Sequence, residues 1–420
     1  MKIKLRYSKV YYSSLFIWNF LFTVTWFTTL QYRSDHYYLP YVFVWKLIRF
    51  FLTLKIWKDL KTGTNRDLKV VFGILVIGSI SWYFSQNEFL YPLLWFAAAA
   101  KNTEIKKSIQ YLWYSQIAAV GITIFGSLAG ILENRVMAGN GIVRRYTLGF
   151  IHPNTLGAFL MQLVLLTFYL YARQSARKVY FIAALCFMIA WRIACSRTTT
   201  FVLVIFFMFS ALYYITVKRN KKLQSFLGIL LQRTGDIVKV SLGVSLAAIC
   251  GLLNQFDMAD TLGVRISQAK LYFNYYGVTL WGQPLIMGYE TNEYYNGLFT
   301  LDNAYIYLFL AFGGIVSILF LFFYFQRLKR ARVENDHIVL IILVLYGIVG
   351  ITETTMIRFG MNFSLIFLAE VLWKDFDKQT LSNGQRVRIR LKMRSGYGMP
   401  EKPTLPESEC DQDGSLHAKF

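Results

Sequence analysis

The sequence carries little charge for its length, and acidic residues are especially scarce. Only 16% of its 420 residues are charged, with 23 Asp and Glu against 45 Lys and Arg. Hydrophobic residues make up 55% of the chain, and Phe, Trp and Tyr alone make up 18%. A water-soluble domain of this length carries more charge and fewer aromatic residues, so that class of protein is excluded. A bilayer accepts such a composition, because a spanning helix needs about twenty mostly apolar residues.

Cysteines and the common enzyme motifs are also sparse. The four cysteines (Cys186, Cys195, Cys250 and Cys410) have neither metal-site spacing nor a paired outer-loop arrangement. The sequence lacks a Gly-rich phosphate loop, HExxH, a Cys/His cluster and G-x-S-x-G. It also lacks the early Asp/Glu pair of metal-dependent glycosyltransferases that use lipid-phosphate sugars. We therefore expect neither a metal ion nor a cofactor.

The net charge of +22 comes from short basic clusters between apolar runs. This pattern is typical of loops that face the anionic cytoplasmic leaflet of a membrane. It does not indicate a nucleic-acid partner.

The apolar runs predict an all-α, polytopic membrane protein with about twelve spans. The basic N-terminal residues lead into an apolar run without a small-residue cleavage site, so we expect a retained first helix. The predicted spans are 14–30, 39–57, 68–84, 89–100, 108–130, 155–171, 179–194, 199–217, 237–253, 304–325, 338–351 and 359–373.

The basic connections fix the predicted orientation. If the spans alternate, all of these connections fall on one face, which is then cytoplasmic together with both termini. The residues concerned include Lys2, Lys4, Arg6, Lys9, Lys58, Lys61, Arg66, Lys69, Lys101, Lys106, Lys107, Arg173, Arg177, Lys178, Lys218, Arg219, Lys221, Lys222, Arg327, Lys329, Arg330 and Arg332. We expect a membrane domain over 1–373 with a large extracellular loop at about 254–303. A cytoplasmic tail, first basic and then disordered, is expected over 374–420.

Positive charge on the predicted outer face is almost entirely arginine. The outer residues are Arg33, Arg135, Arg144, Arg145, Arg192, Arg197, Arg265 and Arg358, with Lys270 as the one clear lysine. The planar guanidinium group binds phosphate oxygens through two parallel hydrogen bonds, whereas lysine acts as a point charge. This choice of residue indicates either a phosphate-bearing ligand at the outer face or pairing with lipid headgroups, and headgroup pairing is favoured for Arg33 and Arg135.

The stretch RRYTLGFIHPNTLGAF (144–159) puts Arg145 and His152 at the start of a predicted span. Pro153 suits a first helical position, and Asn154 can cap backbone N–H groups left without partners. The positive end of a helix dipole attracts an anion, and Arg145 lies one short loop away. A lone histidine near a helix start is more often a capped, hydrogen-bonded residue than a catalyst. The combination is what predicts a phosphate site.

Two further arginines lie beside apolar runs, where a charge is costly and usually functional. Arg197 opens a span within CSRTTT (195–200). It either binds an anion or snorkels beside a Ser/Thr helix cap. Arg265 lies in the predicted long loop, on a predicted short amphipathic helix.

The candidate carboxylates and their neighbours lie where the chain meets the membrane. Asp302 and Asn303 mark the return of the long loop, a position at which both residue types commonly cap helices. Glu353 lies at the outer end of an apolar helix, near Arg358 and Asn362. It forms a structural pair with Arg358, or it serves as a base or as a ligand for a sugar hydroxyl.

In these stretches the sequence resembles the polytopic O-antigen polymerase and ligase superfamily. It is most similar to the Wzy-type capsular and exopolysaccharide polymerases of Gram-positive bacteria. The carrying motifs, in order, are RYTLGFIHPNTLGAF, CSRTTT, LGVRISQAKLYFNYYGVTLWGQ and LDNAYIYLFLAFGGI, with TETTMIRFGMN as a weaker last piece. Each motif alone is unspecific, and their order over residues 140–365 is the specific feature. Ile151 is bulkier than the small residue expected before the histidine.

The resemblance implies a membrane-embedded glycosyltransferase with its active site at the outer leaflet. Its donor is a glycan on undecaprenyl pyrophosphate, and its acceptor is one repeat unit on a second such lipid. The acceptor hydroxyl attacks the anomeric carbon, and undecaprenyl pyrophosphate leaves. Preorganised cations stabilise the charge that the leaving group develops.

The resemblance also implies roles for individual residues. Pyrophosphate binding is implied for Arg145, Arg197 and Arg265. The catalytic residues implied are His152, Arg265 and Glu353, where His152 is an acid/base residue or a pyrophosphate contact and Glu353 is the other candidate base. Site-shaping roles are implied for Asn154, Asp302 and Asn303. The tyrosine-rich stretch 272–299 is implied to select the repeat unit.

Two other functions share these features. The first is a ligase, which transfers the finished glycan to another acceptor, and the resemblance hardly distinguishes it from a polymerase. A flippase for lipid-linked oligosaccharides would also have about twelve spans and internal cations, but with a cavity open to both faces and pseudo-repeated halves. The sequence has no internal repeat, and its charges group at outer helix ends, which favours an enzyme. The expected partners are lipid-linked oligosaccharide, membrane lipids, and a flippase and chain-length regulator of the same pathway.

Overall fold

A computed structural model describes residues 2–32, 36–138, 144–218, 228–252, 261–287 and 300–373. Residues 1–373 form one compact unit. The predicted tail over 374–420 lies outside the described residues, as does Arg33.

The described chain is mainly helical. The helices are α1 (Lys2–Trp26), α2 (Leu39–Lys61), α3 (Asn65–Ser85), α4 (Tyr91–Ala99), α5 (Ile105–Leu128), α6 (Pro153–Tyr171), α7 (Ala176–Met188), α8 (Arg197–Lys218), α9 (Asp236–Ile249), α10 (Thr261–Tyr276), α11 (Ala304–Val333), α12 (His337–Val349) and α13 (Ile366–Trp373). Short helical turns cover Thr29–Tyr32, Ile189–Ile193, Thr354–Ile357 and Phe363–Leu365. Strands β1 (Val136–Ala138) and β2 (Arg144–Tyr146) form an antiparallel hairpin. The expectation of an all-α protein is confirmed.

The helices suit a membrane, although they differ in length. A helix overlaps each of the twelve predicted spans, although α13 covers only the second half of the span predicted at 359–373. Within the described residues, five helices (α3, α5, α6, α8 and α11) are both long and apolar enough to cross a bilayer. The structure is therefore consistent with a helical membrane protein, and the number of twelve spans stays a prediction.

The core forms around α6 and α12. The sequence of α12, HIVLIILVLYGIV, is apolar on every side, and nearly all of it is buried against α8, α9 and α11. Helix α6 packs between α5, α7 and α8. A helix that is apolar all round needs neighbours on every side, so these two lie at the centre and position the loops at their ends.

Helix α11 is broken at Gly313, and an extended segment fills the break. Gly313 has φ +79° and Gly282 has φ +98°, a region that favours glycine. The N–H of Gly314 donates to the carbonyl of Thr279 (2.8 Å), and Ser81 Oγ donates to the carbonyl of Phe312 (3.0 Å). Backbone groups freed by the break are thus satisfied, as burial in a membrane protein requires.

The predicted large loop (254–303) has internal structure. Residues 261–276 form α10, as expected for the stretch around Arg265, and residues 277–287 enter the break in α11. Residues 253–260 and 288–299 lie outside the described residues. Tyr272 is fully buried, and its hydroxyl donates to the carbonyl of Ile286 (2.9 Å). Tyr272, the first residue of the stretch 272–299, therefore packs in the interior, and selection of the repeat unit by this stretch stays a prediction.

Candidate active site

The segment before α6 is anchored to the end of α1. Leu148 and Gly149 both have positive φ, and the carbonyl of Gly149 accepts from the N–H of Thr29 (2.8 Å). The N–H of Ile151 donates to the carbonyl of Phe27 (3.1 Å). A side chain at Gly149 would lie against the α5 backbone. These contacts fix the direction in which the chain enters α6.

His152 is the capping residue of α6. Its Nδ1 accepts a hydrogen bond from the N–H of Asn154 (3.1 Å), and Pro153 is the first helical residue. The prediction that Asn154 caps the helix is therefore wrong, because the histidine ring takes that role. Burial, and then the positive charge of Arg145, lower the pKa of His152 to about 4. The ring is neutral near pH 7. Because Nδ1 serves as an acceptor, the ring proton lies on Nε2.

Asn154 instead bridges an arginine and a carboxylate. Arg145 Nη2 donates to Asn154 Oδ1 (2.6 Å), and Asn154 Nδ2 donates to Glu353 Oε1 (3.2 Å). Arg145 Nε also donates to the carbonyl of Ala194 (3.3 Å). The two predicted site residues Arg145 and Glu353 are thus linked through a third.

The start of α8 lies directly beside the start of α6. A side chain at Gly157 would overlap Thr199 and Ser196, so glycine is what permits this approach. Thr198 Oγ1 donates to Glu353 Oε1 (3.4 Å). Arg197 is the first residue of α8, and its side chain is exposed. Two helix N-termini therefore point toward one region, which favours an anion there.

Arg265 joins α10 to the segments before α11 and after α12. Its Nη1 donates to the carbonyl of Thr352, and its Nη2 donates to Glu353 Oε1 (3.3 Å). Its Nε lies 3.5 Å from Asp302 Oδ2, and that aspartate also accepts from Thr300 Oγ1 (3.0 Å). The guanidinium therefore lies between two carboxylates.

Asn303 supports the structure and does not reach the carboxylate cluster. Its Oδ1 caps α11 by accepting from the N–H of Ile306 (3.0 Å). Its Nδ2 donates to Ser245 Oγ (2.9 Å) and to the carbonyl of Ile351 (3.2 Å). The predicted site-shaping role is thus indirect: Asn303 holds the segment that carries Glu353.

Glu353 is the centre of the cluster. Its Oε1 accepts from Asn154, Thr198 and Arg265, which come from three different helices. Within the part of the chain that the structure describes, no donor reaches Oε2, and 18% of the side chain is exposed. Burial, and then the charge of Asp302, raise the pKa of Glu353 to about 7, while Arg265 and Arg358 act in the opposite direction.

Among the described residues, the cluster holds more positive than negative charge. Arg265 lies beside both carboxylates, Glu353 and Asp302, whereas the charges of Arg145 and Arg358 act on Glu353 and Arg197 lies near Arg145. Burial, and then neighbouring positive charge, lower the pKa of Arg145. Like charges held together at this cost indicate a site for an anion.

The site contains residues that the sequence analysis did not single out. Thr198 was seen only as part of CSRTTT, although a hydroxyl beside Arg197 at a helix start was the available signal. Phe89 lies under the Arg358 guanidinium (4.1 Å to the ring centroid), and its carbonyl accepts from the N–H of Phe359 (3.3 Å). No sequence pattern indicated Phe89, because the α3–α4 linker carries no motif.

The cluster offers a base, hydrogen-bond donors and fixed cations in one place. Among the described residues, no group of three His, Cys, Asp or Glu side chains is arranged to hold a metal ion. This arrangement can accept a proton at Glu353 Oε2 while the arginines bind an anion.

Comparison of the chain with models of known protein families, and with curated proteins, gave no match.

Proposed function

We propose that this protein is a membrane-embedded polysaccharide polymerase. It joins oligosaccharide repeat units carried on undecaprenyl pyrophosphate at the outer leaflet and releases undecaprenyl pyrophosphate. The observation that carries the proposal is the convergence on Glu353. The motifs that resemble the O-antigen polymerase superfamily lie far apart in the sequence, yet Asn154, Thr198 and Arg265 all donate to one carboxylate oxygen.

Glu353 is the base in this proposal. Its Oε1 is held by three donors, so Oε2 remains to accept the proton of the acceptor hydroxyl. A pKa of about 7 matches the pH at which a general base works best. His152 does not compete for this role, because its Nδ1 is occupied as a helix cap and its Nε2 bears the ring proton.

The arginines stabilise the leaving group. As the acceptor oxygen bonds to the anomeric carbon, the bond from that carbon to the pyrophosphate oxygen breaks and its electron pair stays on the pyrophosphate. Arg145, Arg197, Arg265 and the Nε2–H of His152 supply positive charge and donors for this oxygen. Arg265 also contacts Glu353, so in this proposal a single arginine contacts both the base and the leaving group.

The charge distribution supports an outer-face location. Helix α6 has His152 at its start, whereas Arg173 lies just beyond its end and pairs with Asp336 (3.3 Å). The cluster around Glu353 therefore lies at the opposite end of α6 from a basic connection. Because basic connections face the cytoplasm, the cluster faces outward in this proposal.

A test in cells separates the polymerase from its alternatives. Arg265→Lys removes the forked guanidinium but keeps the charge. The matched control is Arg135→Lys, because Arg135 also pairs with a carboxylate, that of Glu133, in a different loop. We expect single lipid-linked repeat units to accumulate at the outer leaflet with Arg265→Lys only, at equal membrane levels. Units that stay at the inner leaflet would indicate a flippase. Normal polymer that no longer reaches its final acceptor would indicate a ligase.

A further inference from the structure

Helix α2 reaches from the end of the molecule that carries the candidate site to the end with the basic connections. Near its start, Tyr41 packs edge-to-face on Trp26, the last residue of α1 (5.9 Å between ring centroids). Near its end, Lys55 Nζ pairs with Asp59 (2.6 Å) and donates to the carbonyl of Lys101 (2.8 Å). In the proposed orientation these two ends face opposite sides of the bilayer, so α2 crosses it.

Three basic residues, Lys46, Arg49 and Lys55, interrupt the apolar sequence of α2. Lys55 has the partners given above. The guanidinium of Arg49 lies over the ring of Trp45 (5.6 Å to the centroid), and its charge acts on the carboxylate of Glu88. The side chain of Lys46 is exposed, and no hydrogen bond or ion pair reaches it from the described residues. Lys46 is therefore the one of the three whose charge is not balanced within the described fold.

Lys46 lies near the middle of the predicted span. The exposed rings of Tyr38 and Trp57 mark the two membrane interfaces, where such residues are enriched. At about 1.5 Å per residue the helix between them is roughly 29 Å long, close to the thickness of the hydrocarbon core. By the same measure Lys46 is about 12 Å from Tyr38. The four-carbon stem of a lysine is shorter than that distance, so the charge stays within the hydrocarbon, where it is costly and usually functional.

The face of α2 beside Lys46 has the repeat of a helix-packing surface. Five exposed apolar residues follow one another at alternating spacings of four and three residues, as in the seam between two packed helices. They are Phe43, Leu47, Phe50, Leu54 and Trp57. Lys46 flanks this seam, at a position from which a charge pairs with the neighbouring helix. An apolar seam alone would also suit lipid tails, but lipid tails offer nothing that neutralises a lysine.

A second copy of this chain does not supply the missing charge. Two α2 helices that packed through this face would run parallel and bring both Lys46 ammonium groups to the same depth, where like charges repel. Glu370 is the only Asp or Glu within the twelve predicted spans, and its carboxylate already pairs with Arg327 (2.9 Å). The occupant is therefore a different membrane protein.

We propose that this face of α2 binds a transmembrane helix of another membrane protein, and that an Asp or Glu of that helix pairs with Lys46 near the middle of the bilayer. The apolar seam supplies the packing area. The charge pair selects the partner, because a helix without the carboxylate would leave Lys46 unneutralised. This inference does not depend on the reaction proposed for the candidate site.

The experiment is photo-crosslinking in the cells that make this protein. The photoreactive residue p-benzoyl-phenylalanine replaces Phe50, which is 57% exposed and lies one turn from Lys46. In the matched control it replaces Phe125 of α5, which is 70% exposed. Cross-linked peptides are identified by mass spectrometry. We expect position 50, but not position 125, to cross-link one membrane protein, through a transmembrane helix that carries Asp or Glu within two turns of the attachment point.

Variants at Lys46 test the charge pair. Lys46→Met should lower the cross-linked yield roughly 20-fold or more, because it leaves the partner's carboxylate buried and unpaired. Lys46→Arg keeps the charge and should retain the cross-link. Lys61→Met removes an exposed lysine from the last turn of the same helix, so it is the matched control and should also retain the cross-link. Lys46→Glu should abolish the cross-link, and a lysine in place of the partner's carboxylate should restore it.

Four results would overturn the inference. They are a cross-link from position 50 to a second copy of this chain, adducts with phospholipid alone, a partner helix without Asp or Glu, and a yield that is unchanged in Lys46→Met. The peptide map is obtained with Lys46 in place, so it decides the matter even if Lys46→Met does not reach the membrane.

Discussion

At the scale of single residues, Glu353 and His152 make different contacts, and this difference bears on which of them is the base. The sequence put both near a phosphate site but could not choose the base. The choice of the base depends on Asn154. Its backbone N–H donates to His152, which is two positions away in the sequence. Its side chain donates to Glu353, which is 199 positions away. Only the folded chain brings these contacts together, so neither the ring's proton position nor the carboxylate's burial was predictable.

The pH dependence of glycosyl transfer is expected to follow Glu353. Its pKa is raised to about 7, so the charged form that accepts a proton predominates above pH 7 and is lost below it. The initial rate should therefore fall about tenfold per pH unit below that value and level off above it. The measurement is the initial rate of reconstituted protein between pH 5 and 9.

Variants identify the group responsible for this profile. Glu353→Gln should remove the pH dependence together with most of the rate. His152→Asn should lower the rate but leave the midpoint unchanged, because the pKa of His152 is lowered to about 4 and its ring stays neutral over this range. A profile that persists in Glu353→Gln would disprove the assignment of the base.

At the scale of elements, the site depends on two helices that begin side by side. Apolar runs predicted the helices, and the positions of Pro153 and Arg197 at the helix starts were confirmed. The close approach of α6 and α8 was not predicted, since it depends on the absence of a side chain at Gly157. The break at Gly313 was also missed, because an apolar run continues through it.

Gly157→Ala tests this approach. The new methyl group would overlap Thr199 and Ser196, so α8 must shift away from α6. We expect a stability loss of about 1–3 kcal/mol from overpacking. A displacement of about 1 Å between Thr198 and Glu353 should lower the transfer rate by roughly 100-fold. Thermal unfolding and initial rates measure the two effects.

Gly121→Ala serves as the control for helix propensity. A Cβ at that position of α5 meets nothing within 4 Å, so stability should stay equal or rise slightly and activity should be unchanged. Equal rates for Gly157→Ala and the wild type would show that the spacing of α6 and α8 does not matter for the site.

At the scale of the whole molecule, charge is separated between the two ends of the helices. The basic connections pair with carboxylates at one end, as in Lys101–Asp67 (2.5 Å) and Arg332–Asp236 (2.9 Å). The arginine cluster around Glu353 lies at the other. Composition and the positive-inside rule predicted this separation. They could not predict which helices span fully, because helix length and kinks depend on packing.

Labelling of single cysteines tests the predicted orientation. In a background without the native cysteines, Glu133→Cys and Glu334→Cys each place a thiol at an exposed position, on the site end and on the basic end respectively. A membrane-impermeant maleimide should label position 133 in intact cells and position 334 only after permeabilisation. The reverse pattern would put Glu353 in the cytoplasm and exclude the proposed reaction.

The central claim is that Glu353 acts as the base in glycosyl transfer from undecaprenyl pyrophosphate. The most direct measurement uses purified protein in liposomes with lipid-linked repeat units, and counts glycosidic bonds formed and undecaprenyl pyrophosphate released. We predict one pyrophosphate lipid released per bond, a rate loss of about 10²- to 10⁴-fold in Glu353→Gln, and no loss in the exposed control Glu133→Gln. Polymer formed at the wild-type rate by Glu353→Gln would contradict the claim.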